Sequence, residues 1–432
     1  MNLINYIKNQ LIKKGADDVI VYQSNHDSTQ VKFVNNKIAK TETHLTSDIS
    51  IFTAKSKHLI STNLKDPNKK SADEKIKNIF KFLKHTQPNK DYEGIAKGPF
   101  KYKEIPETYD KNILDMNEID YVEKGINSAL KNAKRCSGVL EKEIGSNQLV
   151  SSNGIEAEDK STALYYSIRA FTTKEASGHM TACSRTLNKF EVSPAAKFAG
   201  EIAKKSQKPK QGKSGKYTVI FDHLPAAVLL NYTMDAASIF SVESHLSFLI
   251  NKLNKKIGNF TLIDQGNLPN GLNSLKFDAE GVPTQKNIIV DKGILKTYLH
   301  NTSSAKRHKT KTTANAGIIS PQSWNILLEG NQGNVFDIKK GLYITNIWYT
   351  RFQNYAEGNF STIPRDGIFE IENGEIKQPV KNIRITESML DILKNIQIIS
   401  KETHQVKSWE ASTTTITPKL LVKEVRITKP TV

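Results

Sequence analysis

Apolar residues near the start of the chain fall at Leu3, Ile7 and Leu11, with Ile4 and Ile12 beside them. That is one face of a helix, and Lys13-Lys14-Gly15 supplies its stop. The period then changes to two. Residues 18–24, 30–34, 38–43 and 48–53 alternate apolar and polar, separated by Asn/Lys or Ser/Asp breaks. They predict four short strands of a small antiparallel sheet, with Asn35-Asn36 as a tight turn. Helical spacing returns at Ile76, Ile79, Phe80 and Leu83, where Ser71, with Glu74 three residues on, reads as the cap. Pro88, Pro99 and Pro106 then interrupt a stretch of little periodicity from about 87 to 115, which predicts a first boundary.

Beyond it, residues 117–135 carry Ile119, Val122, Ile126, Ala129, Leu130 and Ala133 on one helical face. Ser152-Asn153-Gly154 is the strongest turn signal in the chain, and it predicts a long hairpin from 139–150 and 155–172. A third strand is expected at 179–186, and a helix from Ser193-Pro194 running into the lysine-rich 204–216, which reads as a solvated linker. From Lys216 strands dominate. They are expected at 217–221, 260–263, 272–277, 287–290, 294–299, 342–348, 360–363, 368–372 and 420–427, with a helix over 224–240 and a hairpin turn at Asp291-Lys292-Gly293. The class is α+β in three parts: a small N-terminal unit over 1–95, a middle meander unit over 116–207 and a strand-rich unit over 216–432.

One stretch of the last unit, 349–380, gathers polar and aromatic side chains between turn glycines Gly358, Gly367 and Gly374. Arg351, Phe352, Asn359, Ser361, Arg365 and Asp366 read as a loop held between strands, a usual carrier of binding or catalysis. A decorated β-meander accounts for the same pattern. An internal Arg–Asp bridge would use Arg351, Arg365 and Asp366 as well as a peptide carboxylate would.

Composition narrows the class. The chain is 38% hydrophobic and 25% charged, as in a folded globular protein. No apolar run approaches the roughly 18 residues of a membrane span, so a cytoplasmic protein is expected. Cys136 and Cys183 form no CxxC and read as two reduced, structural thiols. The net charge of +18 raises a nucleic-acid partner, but only eight of the 62 basic residues are arginine. Nucleic-acid readers favour arginine for its bidentate fork, and no nucleic-acid motif is present, so a lysine-coated surface is the preferred reading.

The residues Asp278-Ala279-Glu280-Gly281-Val282-Pro283-Thr284, followed by Ile288 to Leu295, resemble the D-x-E-G-x-x-T … I-x-x-G-x-L signature of the TldD/PmbA (TldE) family. Thr302 to Arg307, Thr313 to Gly317, Gly358-Asn359-Phe360-Ser361, Gly367-Ile368-Phe369 and Ile371 to Ile376 with Pro379-Val380 follow in that family's order. The match is dense over 217–425 and weaker over the first two units.

The resemblance implies a family in which one subunit type, TldD, carries zinc on an HExxxH helix with a C-terminal cysteine ligand, and pairs with a TldE/PmbA type that lacks them. Here Asn231 and Ala236 stand at the two histidine positions, Tyr232 stands at the glutamate position, and no cysteine follows Cys183. No HxH, HxxxH or HExxH spacing occurs elsewhere. No catalytic or metal residue is therefore assigned in this chain, and zinc is expected in a partner subunit. The resemblance implies a heterodimer that cleaves an extended peptide. This chain would form the cleft wall through Asp278, Glu280, Gly281 and the 351–367 loop. Asp278 and Glu280 at i,i+2 would also suit an acid/base pair, although turn chemistry beside Gly281 and Pro283 is favoured. The alternatives are a self-sufficient homodimeric hydrolase and a basic, gyrase-modulator-like nucleic-acid-associated protein.

Overall fold

The run Val19-Ile20-Val21-Tyr22 is apolar at every position, which a strand can use only if both of its faces are covered. In a computed structural model describing residues 2–317 and 320–429, both are. Val19 and Val21 pack under helices while Ile20 and Tyr22 pack on the opposite side. The strand is β1 (Asp18–Val34), one of six in an antiparallel sheet with β2 (Lys37–Lys55), β3 (His58–Lys65), β4 (Arg135–Ser151), β5 (Glu156–Phe171) and β6 (Ser177–Ser184). The order is β3-β2-β1-β4-β5-β6. The sheet thus joins strands of 1–95 and 116–207, with β1 and β4 paired from Ile20–Ser151 to Phe33–Gly138.

Helices α1 (Leu3–Lys13) and α2 (Lys69–Leu83) bury Ile4, Ile7, Leu11, Ile76 and Ile79 against one end of this sheet. Helices α3 (Glu118–Leu130) and α4 (Val192–Lys205) bury Val122, Ile126 and Ala199 with Leu140 and Tyr166. The contact is close: a Cβ built at Gly178 of β6 would lie 2.1 Å from the Ala199 carbonyl oxygen of α4. Gly178→Ala is therefore expected to cost about 1–3 kcal/mol through overpacking, read as a lowered urea midpoint. An unchanged midpoint would mean that α4 can move aside.

The second half forms a twelve-stranded sheet. Its strands are β7 (Lys210–Gln211), β8 (Gly215–Phe221), β9 (Phe260–Gln265), β10 (Lys286–Asp291), β11 (Ile294–Leu295), β12 (Asn325–Gly330), β13 (Lys340–Asn354), β14 (Asn359–Glu372), β15 (Glu375–Lys381), β16 (Arg384–Ser388), β17 (Ile396–Val406) and β18 (Thr414–Thr428). The main path is β11-β10-β9-β12-β18-β8-β13-β14-β15-β7; β16 pairs with β14 and β18, and β17 with β18. Helix α5 (His223–Ala236) is buried almost all round, as an apolar segment inside a core must be. The short helices α6 (Ile239–Glu243), α7 (Thr302–Arg307) and α8 (Met389–Lys394) complete the unit. One continuous core runs from α3, α4 and β4–β6 into α5, β8 and β18.

Several expected elements change. The breaks expected near 25–29 and 44–47 do not occur. Polar side chains there still hydrogen-bond across strands, Ser24 to Asn147 at 2.8 Å and Ser47 to Asn25 at 2.7 Å, within two long strands. Helix α2 is capped by Asn68, and Ser71 is the N3 member of the capping box rather than the cap. No strand forms at 272–277, where the Gly271, Leu272 and Ser274 carbonyls accept from the buried Arg185 guanidinium. The strand expected at 294–299 stops at Leu295, and the helix expected to 240 stops at Ala236, after which Ser238 bridges to Leu299. Within the lysine-rich 204–216, Lys210 and Gln211 pair in parallel with β15. The two cysteines are buried and free.

Candidate functional site

The ends of α5 and of the β13–β14 ribbon meet, and the meeting fixes the positions at which the resemblance would place catalytic groups. The Asn231 Nδ2 donates to the Ala227 carbonyl (2.9 Å), the Thr413 carbonyl (3.1 Å) and the Thr415 hydroxyl (2.8 Å), while its Oδ1 accepts from the Thr413 N–H (3.0 Å). Both ends of the amide are spent on tying α5 to β18. The Tyr232 hydroxyl donates to the Thr350 carbonyl (3.3 Å), and its ring lies 5.2 Å from Phe352. Phe352 in turn packs on Phe248, Tyr355 and Phe360. Ala236 is buried. Of the positions resembling a catalytic helix, Asn231 here anchors α5 to β18 and Tyr232 anchors it to the ribbon.

The 278–284 turn lies elsewhere, against the six-stranded sheet. Asp278 is buried. Its Oδ1 accepts from the N–H groups of Glu280 and Val282 and its Oδ2 from that of Ala316, at 2.9–3.0 Å. Gly281, at φ +81°, sits against Ile155 just beyond the Ser152–Gly154 turn, and the Tyr102 hydroxyl donates to its carbonyl (2.7 Å). Glu280 is 8% exposed and accepts from the Thr302 N–H at the start of α7 (3.1 Å). Burial raises the pKa of both carboxyls, and the neighbouring Glu280 charge raises that of Asp278 further. Glu280 borders a cavity of about 380 Å³ whose walls include Tyr22, Phe52, Tyr92, Asn301 and Arg307. The irregular 89–95 segment closes one side, with the Glu93 N–H donating to Ser303 Oγ and Arg307 Nη1 donating to the Asp91 carbonyl.

The stretch read as a loop over 351–367 is a β-ribbon, because the two strands keep pairing from Lys340–Glu372 to Asn354–Asn359 through three register shifts. Its residues do not converge. Arg351 is exposed and donates to the Thr350 carbonyl (2.9 Å). Asn359 donates to Glu357 (2.6 Å) near the tip, and the buried Ser361 accepts from Arg384 (3.2 Å). Asp366 turns inward at φ +66°. Its Oδ1 accepts from Arg169 Nε and Ser177 Oγ and its Oδ2 from Asn346 Nδ2, each at 2.7 Å. The hydrogen-bonded bridge to Asp366 is made by Arg169; the expected one from Arg365 is present as a longer ion pair, at 3.8 Å. Arg169, Ser177, Asn346 and Trp348 at this centre, and Tyr22, Phe52 and Tyr92 at the cavity, are absent from the sequence reading. The scarcity of arginine was a usable pointer to Arg169.

A family description, PmbA/TldA metallopeptidase C-terminal domain, matches residues 214–429, half of the chain. An uncharacterized protein of Methanocaldococcus jannaschii is 31% identical over 330 residues, 73% of this chain and 77% of that protein. The chain belongs to the PmbA/TldD metallopeptidase family. Metalloprotease PmbA of Escherichia coli O157:H7 is 30% identical over 198 residues, 45% of this chain, and the match spans 43% of that protein. TldE from Thermococcus kodakarensis shares the fold over 99% of this chain and all of its own, with a TM-score of 0.88 at 21% identity. Zinc, the metal that the resemblance implies, needs about four N, S or carboxylate donors. Asn231, Tyr232 and Ala236 do not fit it, since the first two side chains are engaged and the third has no donor. Among the described residues no group of three His, Cys, Asp or Glu could hold a metal, and no helix is long and apolar enough to cross a membrane.

Proposed function

We propose that this chain is the TldE/PmbA-type, non-catalytic subunit of a peptide-cleaving pair, with the zinc and the general base supplied by an HExxxH-bearing TldD-type partner. The observation that carries this reading is the use of Asn231 and Tyr232 to fasten α5 to β18 and to the β13–β14 ribbon. A zinc-bound water needs a free base beside it, and here the side chain in that position packs into an aromatic cluster. The chain then acts as a wall for a peptide held by strand edges, with the Glu280-bordered cavity as one contact. Naming of relatives as PmbA metalloproteases supports the family setting of this role.

The test is to purify the chain alone and together with an HExxxH-bearing family member, then measure zinc by mass spectrometry and hydrolysis of an unfolded peptide. The lone chain is expected to hold less than a tenth of an equivalent of zinc and to leave the peptide intact, while the pair cleaves it. Stoichiometric zinc or zinc-dependent cleavage by the lone chain overturns the assignment.

A further inference from the structure

Beside the Asp366 centre lies a second cavity, of about 530 Å³, between the end of the six-stranded sheet and the β13–β14 ribbon. Four cationic side chains border it (Arg169, Lys174, Arg365 and Lys381) against two anionic ones, Glu175 and Asp366. The anions are already taken. Asp366 is satisfied by Arg169, Ser177 and Asn346, and Glu175 pairs with Lys381 at 3.0 Å. That leaves Arg365. Its guanidinium lies 4.7 Å over the Trp348 ring; its Nε is ion-paired with Asp366 at 3.8 Å, beyond hydrogen-bond reach, and none of its N–H groups has a hydrogen-bond partner among the described residues. A guanidinium carries five donors in a rigid plane, and stacking on an indole fixes that plane without using any of them.

The backbone holds this arrangement at a cost. β13 is irregular on both sides of Trp348, with register shifts at Ile344/Asn346 and Trp348/Arg351. Tyr349 sits at φ +57°, a conformation that a bulky residue rarely adopts. Such strain and such bulges concentrate where a side chain must be aimed. Here they place Trp348 under Arg365 and leave Tyr349 exposed at the mouth, 5.7 Å from Trp348. Most of the remaining wall is apolar, with Ile363, Pro364 and Ile383, and Ser206 and Asn382 also border it.

We propose that this cavity is a carboxylate site, in which Arg365 takes the carboxylate of an apolar acid in a fork while Trp348, Tyr349 and Ile363 cover its body. One free planar guanidinium facing apolar walls suits a planar monoanion. A phosphate would call for a second free cation at the same depth; Lys381 is tied to Glu175, and Lys174 is exposed where Arg365 is half-buried. The acid is either a free acylated amino acid or the C-terminus of a peptide. The site stands whether or not the chain pairs with a zinc-bearing partner.

The chain has three tryptophans, so the indole N–H signal of Trp348 can be assigned by comparison with a Trp348→Phe variant. N-acetyl-leucine is expected to shift that signal saturably, while N-acetyl-leucinamide leaves it unmoved. Arg365→Gln should weaken the effect at least tenfold while the Trp324 and Trp409 signals stay in place, since Asp366 keeps its other three partners. Arg365→Lys should recover part of it. A peptide ending in a free leucine that acts at lower concentration than N-acetyl-leucine identifies a peptide C-terminus, and the reverse order identifies a small acid. The proposal is overturned if the acid leaves Trp348 unmoved, if acid and amide act alike, if inorganic phosphate matches the acid, or if Arg365→Gln binds as the wild type does.

Discussion

Asp278→Ala is expected to lower the unfolding free energy by about 3–5 kcal/mol, since three N–H groups, two of them buried and one partly so, each lose their acceptor at roughly 1–3 kcal/mol and part is returned by no longer burying a carboxyl. Those N–H groups belong to Glu280, Val282 and Ala316, so one side chain holds both its own turn and the segment before Gly317. Asp278→Asn should cost less, about 1–3 kcal/mol, because its amide oxygen can keep the two bonds to Glu280 and Val282 while the amide NH₂ meets the Ala316 N–H. Urea unfolding measures both. An alanine variant within 1 kcal/mol of the wild type would refute the structural account and reopen the acid/base one.

The same turn makes stability depend on pH. Burial holds the Glu280 and Asp278 carboxyls above the ordinary value, and burial pushes Asp264 up to about 6. In each case the folded state keeps a proton that the unfolded chain releases near pH 4. The folded state therefore binds more protons, and these groups lower stability as pH rises from about 4 through their folded pKa values. His179 and His300, pushed down to about 4 chiefly by burial, act in the opposite sense, because the unfolded chain binds protons on them below about 6.5. The clean readout is therefore a difference. Glu280→Gln should gain stability relative to the wild type between pH 5 and pH 8, and a flat difference would show that Glu280 ionises normally in the fold.

What the sequence displayed depended on the range of the interaction. Local signals carried well. Asn35-Asn36, Lys292-Gly293 and Asn373-Gly374 all take up the left-handed conformations that their turns require, and the face of α1 lies where its period places it. The polar middles of β1 and β2 were unreadable because their stability comes from ladder bonds to neighbouring strands rather than from alternating side chains. Strand β12 went unseen for a related reason, being recruited by β18 from a distant part of the chain.

The sites divide in the same way. Asp278, Glu280 and Gly281 were visible as a unit because turn chemistry is local. The partners of Asp366 were not, since Arg169 and Ser177 lie 197 and 189 residues away in sequence. Two adjacent residues, Arg365 and Asp366, suggested a bridge to each other. Geometry gives the hydrogen-bonded bridge to Arg169 and leaves Arg365 only a longer ion pair, its Nε 3.8 Å from Asp366, so that its N–H donors stay open; that is what turns a structural pair into a candidate binding group.

That assignment makes Asp366 the second place where a single change should be felt strongly. Its partners come from β5 and β6 on one side and from β13 on the other, so the carboxylate fastens the two sheets together. Asp366→Ala is expected to cost about 2–4 kcal/mol, less than the loss of a fully buried pair because Arg169 stays partly in water. Asp366→Asn should cost about half as much, since asparagine tolerates the left-handed backbone and keeps hydrogen bonds of neutral strength. Burial opposes its charge, but Arg169, His179, Asn346 and Ser177 together hold its pKa below the ordinary value. The sign is then the reverse of that for Asp278: the contribution is complete above about pH 4 and is lost as pH falls through the folded pKa. Wild type and Asp366→Asn should therefore converge in stability toward pH 3, and a gap that persists there would place the stabilisation in packing rather than in charge.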